Sequence, residues 1–285
     1  MLLRCGRFEI SLERPKIMGV VNATPDSFFE GARHVQADAA IARARELLAD
    51  GADLLDIGAE STRPGADPVS EAEEWRRLAP VLEGLRGLPV PLSIDTRRPA
   101  VMRQALALGA DMINDVSRFL NPDSIQAVAG SGAGVCIMHM AGDPSTMQRA
   151  PVYRDVVSQV REFLYGRVQA LCAAGVGVNR IVLDPGIGFG KNLDHNIGLL
   201  RNLRSLASAG GVQTAGAARS VALPILVGLS RKSMIGAITG REPAGRLVGS
   251  VVAAVAAVAQ GASIVRVHDV AETRDGLAVW KAVGT

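Results

Sequence analysis

The sequence is poor in aromatic residues and in cysteine, and both shortages narrow the classes of protein to which it can belong. Only 4% of its 285 residues are aromatic, whereas 48% are hydrophobic. We therefore expect a core built from aliphatic side chains. The three cysteines, Cys5, Cys136 and Cys172, do not have the spacing of a zinc or redox motif. Cys136 lies within an apolar run, where a buried thiol is the expected state.

Long apolar segments and clusters of charge are also lacking. The longest apolar helical segment, residues 247–258, is shorter than the roughly 20 residues that a bilayer requires. Residues 1–10 contain charges and do not resemble the apolar core of a signal peptide. The formal net charge is +3, and the basic residues are scattered along the chain. We therefore expect a cytoplasmic protein that binds neither a membrane nor nucleic acid.

Eight short apolar runs, separated by segments rich in Ala, Leu, Arg and Glu, form the most informative pattern. Repeated alternation of strand and helix is typical of an α/β protein with a parallel sheet. Eight repeats within 285 residues indicate a single-domain (β/α)8 TIM barrel over residues 1–285. The predicted strands are 17–22, 54–60, 92–95, 112–115, 135–139, 181–184, 225–230 and 264–268.

Two segments do not follow this alternation. Residues 1–15 fit a short hairpin or a cap over the bottom of the barrel. Residues 205–223 are small and polar, which indicates a loop inserted between the sixth helix and the seventh strand. We assign this insertion no function, because such a connection lies on the face opposite to the active site of a barrel.

Local signals mark the starts of the first two barrel helices. Asp38 fits the N-cap of the first, and Ser70 with Glu73 forms the capping box of the second. Long loops, 23–36 and 60–69, precede these helices at the face where barrels carry their active sites. We expect both loops to act as lids.

The last predicted strand carries Arg266 and His268, two residues apart. At this spacing both side chains point to the same side of a strand, toward the mouth of the barrel. A guanidinium beside an imidazole favours an anion, most plainly a phosphate. The alternative is an ion pair that closes the end of the barrel.

Lys232 follows the seventh predicted strand and is one of only four lysines in the chain. It lies between two hydroxyl side chains, Ser230 and Ser233. A lysine at this position can donate to a carbonyl or a ring nitrogen of a ligand. The alternative, a solvated lysine at a helix start, is disfavoured because a cation there opposes the helix dipole.

Three further strands end at a carboxylate or an amide: Asp95, Asn114 and Asp184. Each alone fits a buried hydrogen-bonding residue that only supports the fold. Together on one rim they fit a flat heterocycle with adjacent N–H donors, such as a guanidine-like edge.

The glycine-rich segment 184–191 suggests nucleotide binding but lacks the glycine spacing of both nucleotide-binding motifs, and Asn192 stands where a P-loop requires a hydroxyl. We interpret it as a tight loop that lets the backbone approach a ligand, with Phe189 as a stacking wall or a loop anchor. His139 and His195 lack a second ligand at zinc spacing, so we expect core or supporting roles for both.

Taken in order, these segments resemble the dihydropteroate synthase family. The resemblance covers residues 17–269, nearly the whole chain, and its eight motifs together are highly specific. They are MGVVNATPDSF (18–28), DIGAESTRPG (56–65), SIDT (93–96), INDVS (113–117), MHM (138–140), DPGIGFGK (184–191), LSRKS (229–233) and RVHD (266–269).

The resemblance implies condensation of 6-hydroxymethyl-7,8-dihydropterin diphosphate with p-aminobenzoate, with release of pyrophosphate. It implies that a pterin lies against Asp95, Asn114, Met138, Asp184 and Lys232. It implies a pyrophosphate site with Mg²⁺ near Asn22, formed by Asn22, Thr62, Arg63, Arg266 and His268. The implied p-aminobenzoate pocket, where sulfonamides compete, consists of Phe28, Thr62, Pro64, Phe189, Lys232 and Ser233. The residues implied to be catalytic are Asp95, Lys232, Arg266 and His268.

The family further implies a homodimer, for which the apolar helix at 247–258 is a candidate interface. Two other functions stay open. One is a pterin-dependent methyltransferase on a similar barrel, which handles no pyrophosphate and therefore needs no Arg266–His268 pair. The other is a catalytically silent pterin-binding paralogue, whose expected signature is loss of lid or anion-binding residues.

Overall fold

The chain folds into a barrel of parallel strands surrounded by helices. The computed structural model describes residues 1–23, 33–60, 69–142, 147, 151–208, 212–214, 217–219 and 222–284. The strands are β1 (Leu2–Cys5), β2 (Phe8–Ser11), β3 (Lys16–Asn22), β4 (Leu54–Gly58), β5 (Leu92–Asp95), β6 (Met112–Asp115), β7 (Gly134–Met138), β8 (Ile181–Asp184), β9 (Val212–Thr214), β10 (Ala217–Arg219), β11 (Leu226–Gly228) and β12 (Ile264–Val267).

Helices follow the barrel strands. They are α1 (Arg33–Ala49), α2 (Glu71–Gly84), α3 (Pro99–Ala107), α4 (Pro122–Ala129), α5 (Val156–Ala173), α6 (Leu193–Arg201), α7 (Leu203–Ala207), α8 (Ser233–Thr239), α9 (Leu247–Ala259) and α10 (Val270–Val283). Within the described ranges, no helix combines the length and the apolar character needed to cross a membrane.

Eight parallel strands pair in the order β11-β12-β3-β4-β5-β6-β7-β8. The ring is completed by a parallel bridge between Leu183 of β8 and Ile225, next to β11. The backbone N–H of Leu183 donates to the Pro224 carbonyl at 2.9 Å across this seam. This architecture confirms the predicted (β/α)8 barrel.

Side chains on alternate strand positions fill the interior of the barrel. At the bottom, seven of the eight strands contribute one apolar residue each to a buried cluster: Met18, Leu54, Met112, Cys136, Val182, Leu226 and Ile264. The antiparallel hairpin β1–β2 packs onto this cluster with Leu3, Cys5 and Ile10. The hairpin therefore seals the bottom, and we call these ten residues the lower layer.

Most barrel strand boundaries fall within two residues of the predictions, but α1 differs. It begins at Arg33, so Asp38 lies inside the helix and the predicted N-cap is wrong. The residues just before Asp38 include neither Pro nor Gly, so nothing in the sequence stops the helix there. Ser70 does cap α2, because its hydroxyl accepts the Glu73 N–H at 3.2 Å.

The inserted segment differs from the predicted loop. The end of α7 and a short antiparallel hairpin, β9–β10, lie between residues 205 and 223. Each of these strands has only three residues, too few to show the two-residue alternation by which a strand is predicted. The segment still leads into the bottom end of β11.

Candidate active site

Polar residues occupy the barrel interior directly above the lower layer. Two residues beyond Leu54, Met112, Val182 and Ile264, the same strands present Asp56, Asn114, Asp184 and Arg266. The two-residue period of a strand keeps each pair on the same face. We call this set, together with Ser93 and Asp95 of β5, the upper layer.

Arg266 lies between two carboxylates of the upper layer. Its Nε donates to Asp56 Oδ2 at 2.6 Å and its Nη2 donates to Asp95 Oδ2 at 3.2 Å. The pKa of Asp95 is raised to about 7, mainly by burial and to a smaller extent by the nearby negative charge of Asp56. The positive charge of Arg266 opposes this rise. The ion pair considered as an alternative thus exists, and it joins Arg266 to Asp56 and Asp95; the anion site stays a prediction.

Asn114 and Asp184 place acceptor oxygens in the same interior. The Asn114 Nδ2 group donates to Asp56 Oδ2 at 3.1 Å, whereas its buried Oδ1 has no hydrogen-bond partner among the described residues. Asp184 Oδ1 accepts the Gly186 N–H at 2.7 Å. Burial raises the pKa of Asp184, and the positive charge of Lys232 counteracts that rise. A buried acceptor without a donor favours a ligand that supplies an N–H.

Lys232 occupies the N-cap position of α8, and its side chain contacts the loop between β8 and α6. Its Nζ donates to the Ile187 carbonyl and lies 4.5 Å from the centre of the Phe189 ring, a cation–π distance. Burial lowers the pKa of Lys232 to about 8, and Asp184 counteracts this shift. Ser233, the first residue of α8, is exposed beside it.

The loop between β8 and α6 is shaped by glycine and held by Lys191. Gly186 has φ +67°, and a Cβ there would lie 1.8 Å from the His139 carbonyl oxygen. The buried Lys191 ammonium contacts the carbonyls of Gly186 at 3.0 Å and Phe189 at 2.9 Å. It also lies 3.0 Å from His139 Nδ1. Phe189 and the Ile187 carbonyl are thereby fixed next to Lys232.

His139 and His195 each form hydrogen bonds with the segment that connects β8 and α6. Burial, reinforced by the Lys191 charge, lowers the pKa of His139 to about 3, so its neutral ring accepts from Lys191. His195 completes a capping box with Asn192 at the start of α6. The glycine-rich segment forms a tight loop in which Gly186, Gly188 and Gly190 have positive φ; the approach of its backbone to a ligand stays a prediction.

Two further predicted residues, Asn22 and His268, lie at the upper ends of barrel strands β3 and β12. His268 Nδ1 is 3.0 Å from Ser230 Oγ. Asn22 is exposed at the end of β3, in register with Gly58, which in turn pairs with Asp95. Met138 is buried in an apolar patch with Val116, Met140, Met147 and the partly buried Phe189. Phe28, Thr62, Arg63 and Pro64 lie outside the described residues.

The ends of the second long loop are nevertheless described. Arg98 donates to both Glu60 and the Val69 carbonyl, and Glu60 Oε1 accepts the Val69 N–H at 3.1 Å. Arg98 also pairs with the buried Glu74. The stems of this loop are thus fixed to each other and to α2.

Sequence reasoning gave no role to two residues that organise the site. The sequence does contain a signal that marks Asp56 as unusual, because it is the only charged residue in the otherwise apolar strand β4. Lys191 had a weaker signal: it is one of four lysines and directly follows the glycine-rich loop. Their partners come from distant parts of the chain, and spacing alone does not reveal them.

A model of pterin-binding enzymes matches residues 18–268. The chain belongs to this family. It is 51% identical over 285 residues to the dihydropteroate synthase of Neisseria meningitidis serogroup C, covering 99% of this chain and 97% of that protein.

Two solved pterin-binding enzymes extend the likeness to structure. The dihydropteroate synthase of Burkholderia cenocepacia, complexed with 7,8-dihydropteroate, is 53% identical with a TM-score of 0.89, covering 99% of this chain and 96% of that chain. That of Xanthomonas albilineans with 4-aminobenzoic acid is 46% identical with a TM-score of 0.88, covering 100% and 98%. The predicted family is confirmed.

Proposed function

We propose that this chain condenses 6-hydroxymethyl-7,8-dihydropterin diphosphate with p-aminobenzoate, giving 7,8-dihydropteroate and pyrophosphate. The observation that carries the proposal is the pair of buried acceptors in the upper layer, Asn114 Oδ1 and the Asp184 carboxylate. The edge of a pterin presents adjacent N–H donors, which such acceptors match. Full-length similarity to dihydropteroate synthases supports the same reaction.

The pterin is assigned to the upper layer. Asp184 accepts from its amino and ring N–H edge, with Asn114 and Asp95 beside it. Lys232 donates to the carbonyl and N5 side, which its position close to Asp184 supports. Met138 contributes an apolar wall, supported by its place in the buried methionine-rich patch.

The diphosphate is assigned to Arg266, His268, Asn22, Thr62 and Arg63. Contacts with Asp56 and Asp95 use two of the five N–H donors of the Arg266 guanidinium. Donors fixed in this way stabilise the negative charge that develops on a departing pyrophosphate.

Asn22 fits a magnesium ion that arrives with the diphosphate. Mg²⁺ prefers oxygen ligands, retains several waters and commonly binds substrate phosphates through few protein groups. The exposed Asn22 side chain supplies one amide oxygen at the rim. No group of three or more His, Cys, Asp or Glu that could hold a metal ion occurs among the described residues. When bound, the ion adds positive charge next to the leaving group.

The proposed reaction requires no protein nucleophile. Loss of pyrophosphate first leaves a methylene cation that the pterin ring delocalises. The aromatic amine of p-aminobenzoate then attacks this carbon and loses its proton. Phe189, Lys232 and Ser233, with Phe28, Thr62 and Pro64, are assigned to the p-aminobenzoate pocket, and the ring of Phe189 beside Lys232 supports this assignment.

The test is a pyrophosphate-release assay with dihydropterin diphosphate and Mg²⁺, with and without p-aminobenzoate. We expect repeated turnover to require p-aminobenzoate, dihydropteroate to form in equal amount to the pyrophosphate released, and a sulfonamide to compete with p-aminobenzoate. Pterin binding without turnover would instead identify a silent paralogue. Absence of pterin binding would overturn the assignment of Asp95, Asn114 and Asp184.

A cytoplasmic homodimer completes the proposal. The apolar helix α9 exposes Val248 and Val252, which are 74% and 61% accessible. A groove of about 480 Å³ between α6, α8 and α9 lies beside them. Sedimentation should give a dimer for the wild type, and Val252→Glu should give a monomer. A wild-type monomer at micromolar concentration would contradict the assignment.

A further inference from the structure

Asp56 is a fully buried carboxylate to which the proposed reaction gives no part. It lies in the middle of β4, above Leu54, and its side chain has no solvent exposure. A buried carboxylate is costly unless it is paired and hydrogen-bonded. The partners that satisfy it therefore indicate what it does.

Three donors from three other strands converge on Asp56. Oδ1 accepts the Ser93 hydroxyl at 2.6 Å. Oδ2 accepts the Arg266 Nε–H at 2.6 Å and the Asn114 Nδ2–H at 3.1 Å. These contacts join β5, β6 and β12 to β4 across the barrel interior.

The contact with Asn114 determines which way its amide faces. Because Nδ2 is used by Asp56, Oδ1 must point away from Asp56, and it is this oxygen that is buried without a described partner. A reversed amide would bring two oxygens together and present a donor to the ligand instead of an acceptor. Asp56 thus selects the acceptor orientation.

The contact with Arg266 determines the plane of the guanidinium. Two anchors, Asp56 at Nε and Asp95 at Nη2, fix a planar group completely. The anchor at Asp56 is the shorter of the two and lies deeper in the barrel. Loss of the Asp56 charge leaves the plane held only from its outer edge.

We propose that Asp56 is a positioning residue that orients both the Asn114 amide and the Arg266 guanidinium, and so couples the pterin and diphosphate halves of the site. The inference rests on the roles proposed above for Asn114 and Arg266. A purely structural ion pair predicts a loss of stability only. A positioning role predicts, in addition, a smaller diphosphate contribution. We define this contribution as the ratio of the affinity for the dihydropterin diphosphate to the affinity for the free dihydropterin.

The experiment measures that contribution by calorimetry. For each variant, the affinity for 6-hydroxymethyl-7,8-dihydropterin is compared with the affinity for its diphosphate in the presence of Mg²⁺. Asp56→Asn retains an amide oxygen for Asn114 but removes the charge that anchors Arg266. We expect the affinity gained from the diphosphate to fall by about tenfold or more, with a smaller change for the free pterin.

Ser93→Ala is the matched control. It removes the hydroxyl group that donates to Asp56 Oδ1 but leaves the contacts of Oδ2 with Asn114 and Arg266 in place. We expect it to lose stability without losing the diphosphate contribution. An unchanged contribution in folded Asp56→Asn, or an equal loss in Ser93→Ala, would overturn the proposal.

A second variant covers the case in which Asp56→Asn does not fold. Asp56→Glu retains the charge but lengthens the side chain by one methylene group, so that its carboxylate cannot hold Asn114 and Arg266 in the same geometry. We expect a loss of the diphosphate contribution in this variant too, and wild-type behaviour would contradict the proposal. Failure of the proposed function itself is distinguishable, because the wild type would then bind no pterin or release no pyrophosphate.

Discussion

Four strands, β4, β6, β8 and β12, contribute to both the lower and the upper layer of the barrel, with residues that lie only two apart in sequence. In the lower layer, Leu54, Met112 and Val182 form one buried cluster with residues of the hairpin. The hairpin lies so close to the start of β7 that a Cβ on Gly134 would be 2.7 Å from Cys5 Sγ. Above, the next inward positions carry Asp56, Asn114 and Asp184, and the hairpin has no counterpart among the described residues there. A strand can therefore carry stability at one end and chemistry at the other.

This separation exists because the two layers satisfy different physical requirements. Apolar side chains in the lower layer need only close packing, which neighbouring strands and the hairpin supply. Buried polar side chains in the upper layer need specific partners, and Arg266 is shared by two carboxylates for this reason. We therefore expect substitutions in the two layers to alter different measurable quantities.

The largest effect is expected for Asp184→Asn in the upper layer. The amide oxygen can still accept from Gly186, but its NH₂ group would face the ligand's N–H donors. Replacing an acceptor by a donor should lower kcat/KM by about a thousandfold, corresponding to about 4 kcal/mol. Steady-state kinetics measure the loss.

Thermal unfolding should show no loss of stability in this variant, because a neutral amide is easier to bury than a carboxylate. A drop of less than tenfold in kcat/KM would remove Asp184 from the pterin site.

A smaller effect, on a different quantity, is expected for Leu3→Ala in the lower layer. Leu3 is 1% exposed and packs on the sealed end of the barrel. Its truncation leaves a cavity and should lower the free energy of unfolding by about 3 kcal/mol. Urea denaturation measures the change.

The activity of the folded Leu3→Ala enzyme should stay within about twofold of the wild type, since the sites lie far apart. A large loss of activity at full folding would show that the two layers are coupled.

The smallest effect concerns His139, which supports the loop above the upper layer. The unfolded chain binds a proton at this histidine below pH 6.5, whereas the folded protein does so only near pH 3. Acid therefore favours the unfolded chain, and stability falls as the pH decreases through 6.5. Between pH 7 and pH 5 this histidine should cost about 2 kcal/mol.

His139→Gln tests this contribution, because a glutamine oxygen can accept from Lys191 but cannot take up a proton. Denaturation at pH 7 and pH 5 should show that the variant loses about 2 kcal/mol less than the wild type over this interval. Equal losses in both proteins would contradict a neutral, buried His139.

The alternation of strand and helix, the strand-end residues and the family were accessible from the sequence, because each depends on local pattern. The structure brings the predicted residues Asp95, Asn114, Asp184 and Arg266 together, because a barrel gathers the ends of its strands; their roles in binding stay a prediction. The partners of Asp56 were not predicted, since they lie 37 to 210 residues away and depend on which strands face each other. The start of α1 was misplaced because Asp38 is a capping residue by type but not by position.

The hairpin that seals the barrel also has a consequence for biosynthesis. Leu3, Cys5 and Ile10 are synthesised more than 200 residues before Leu226 and Ile264, with which they share the lower layer. Contacts of such sequence separation form late and slowly. During translation the apolar side of the hairpin therefore lacks these partners until Ile264 has been synthesised, and exposed apolar surface of this kind favours aggregation.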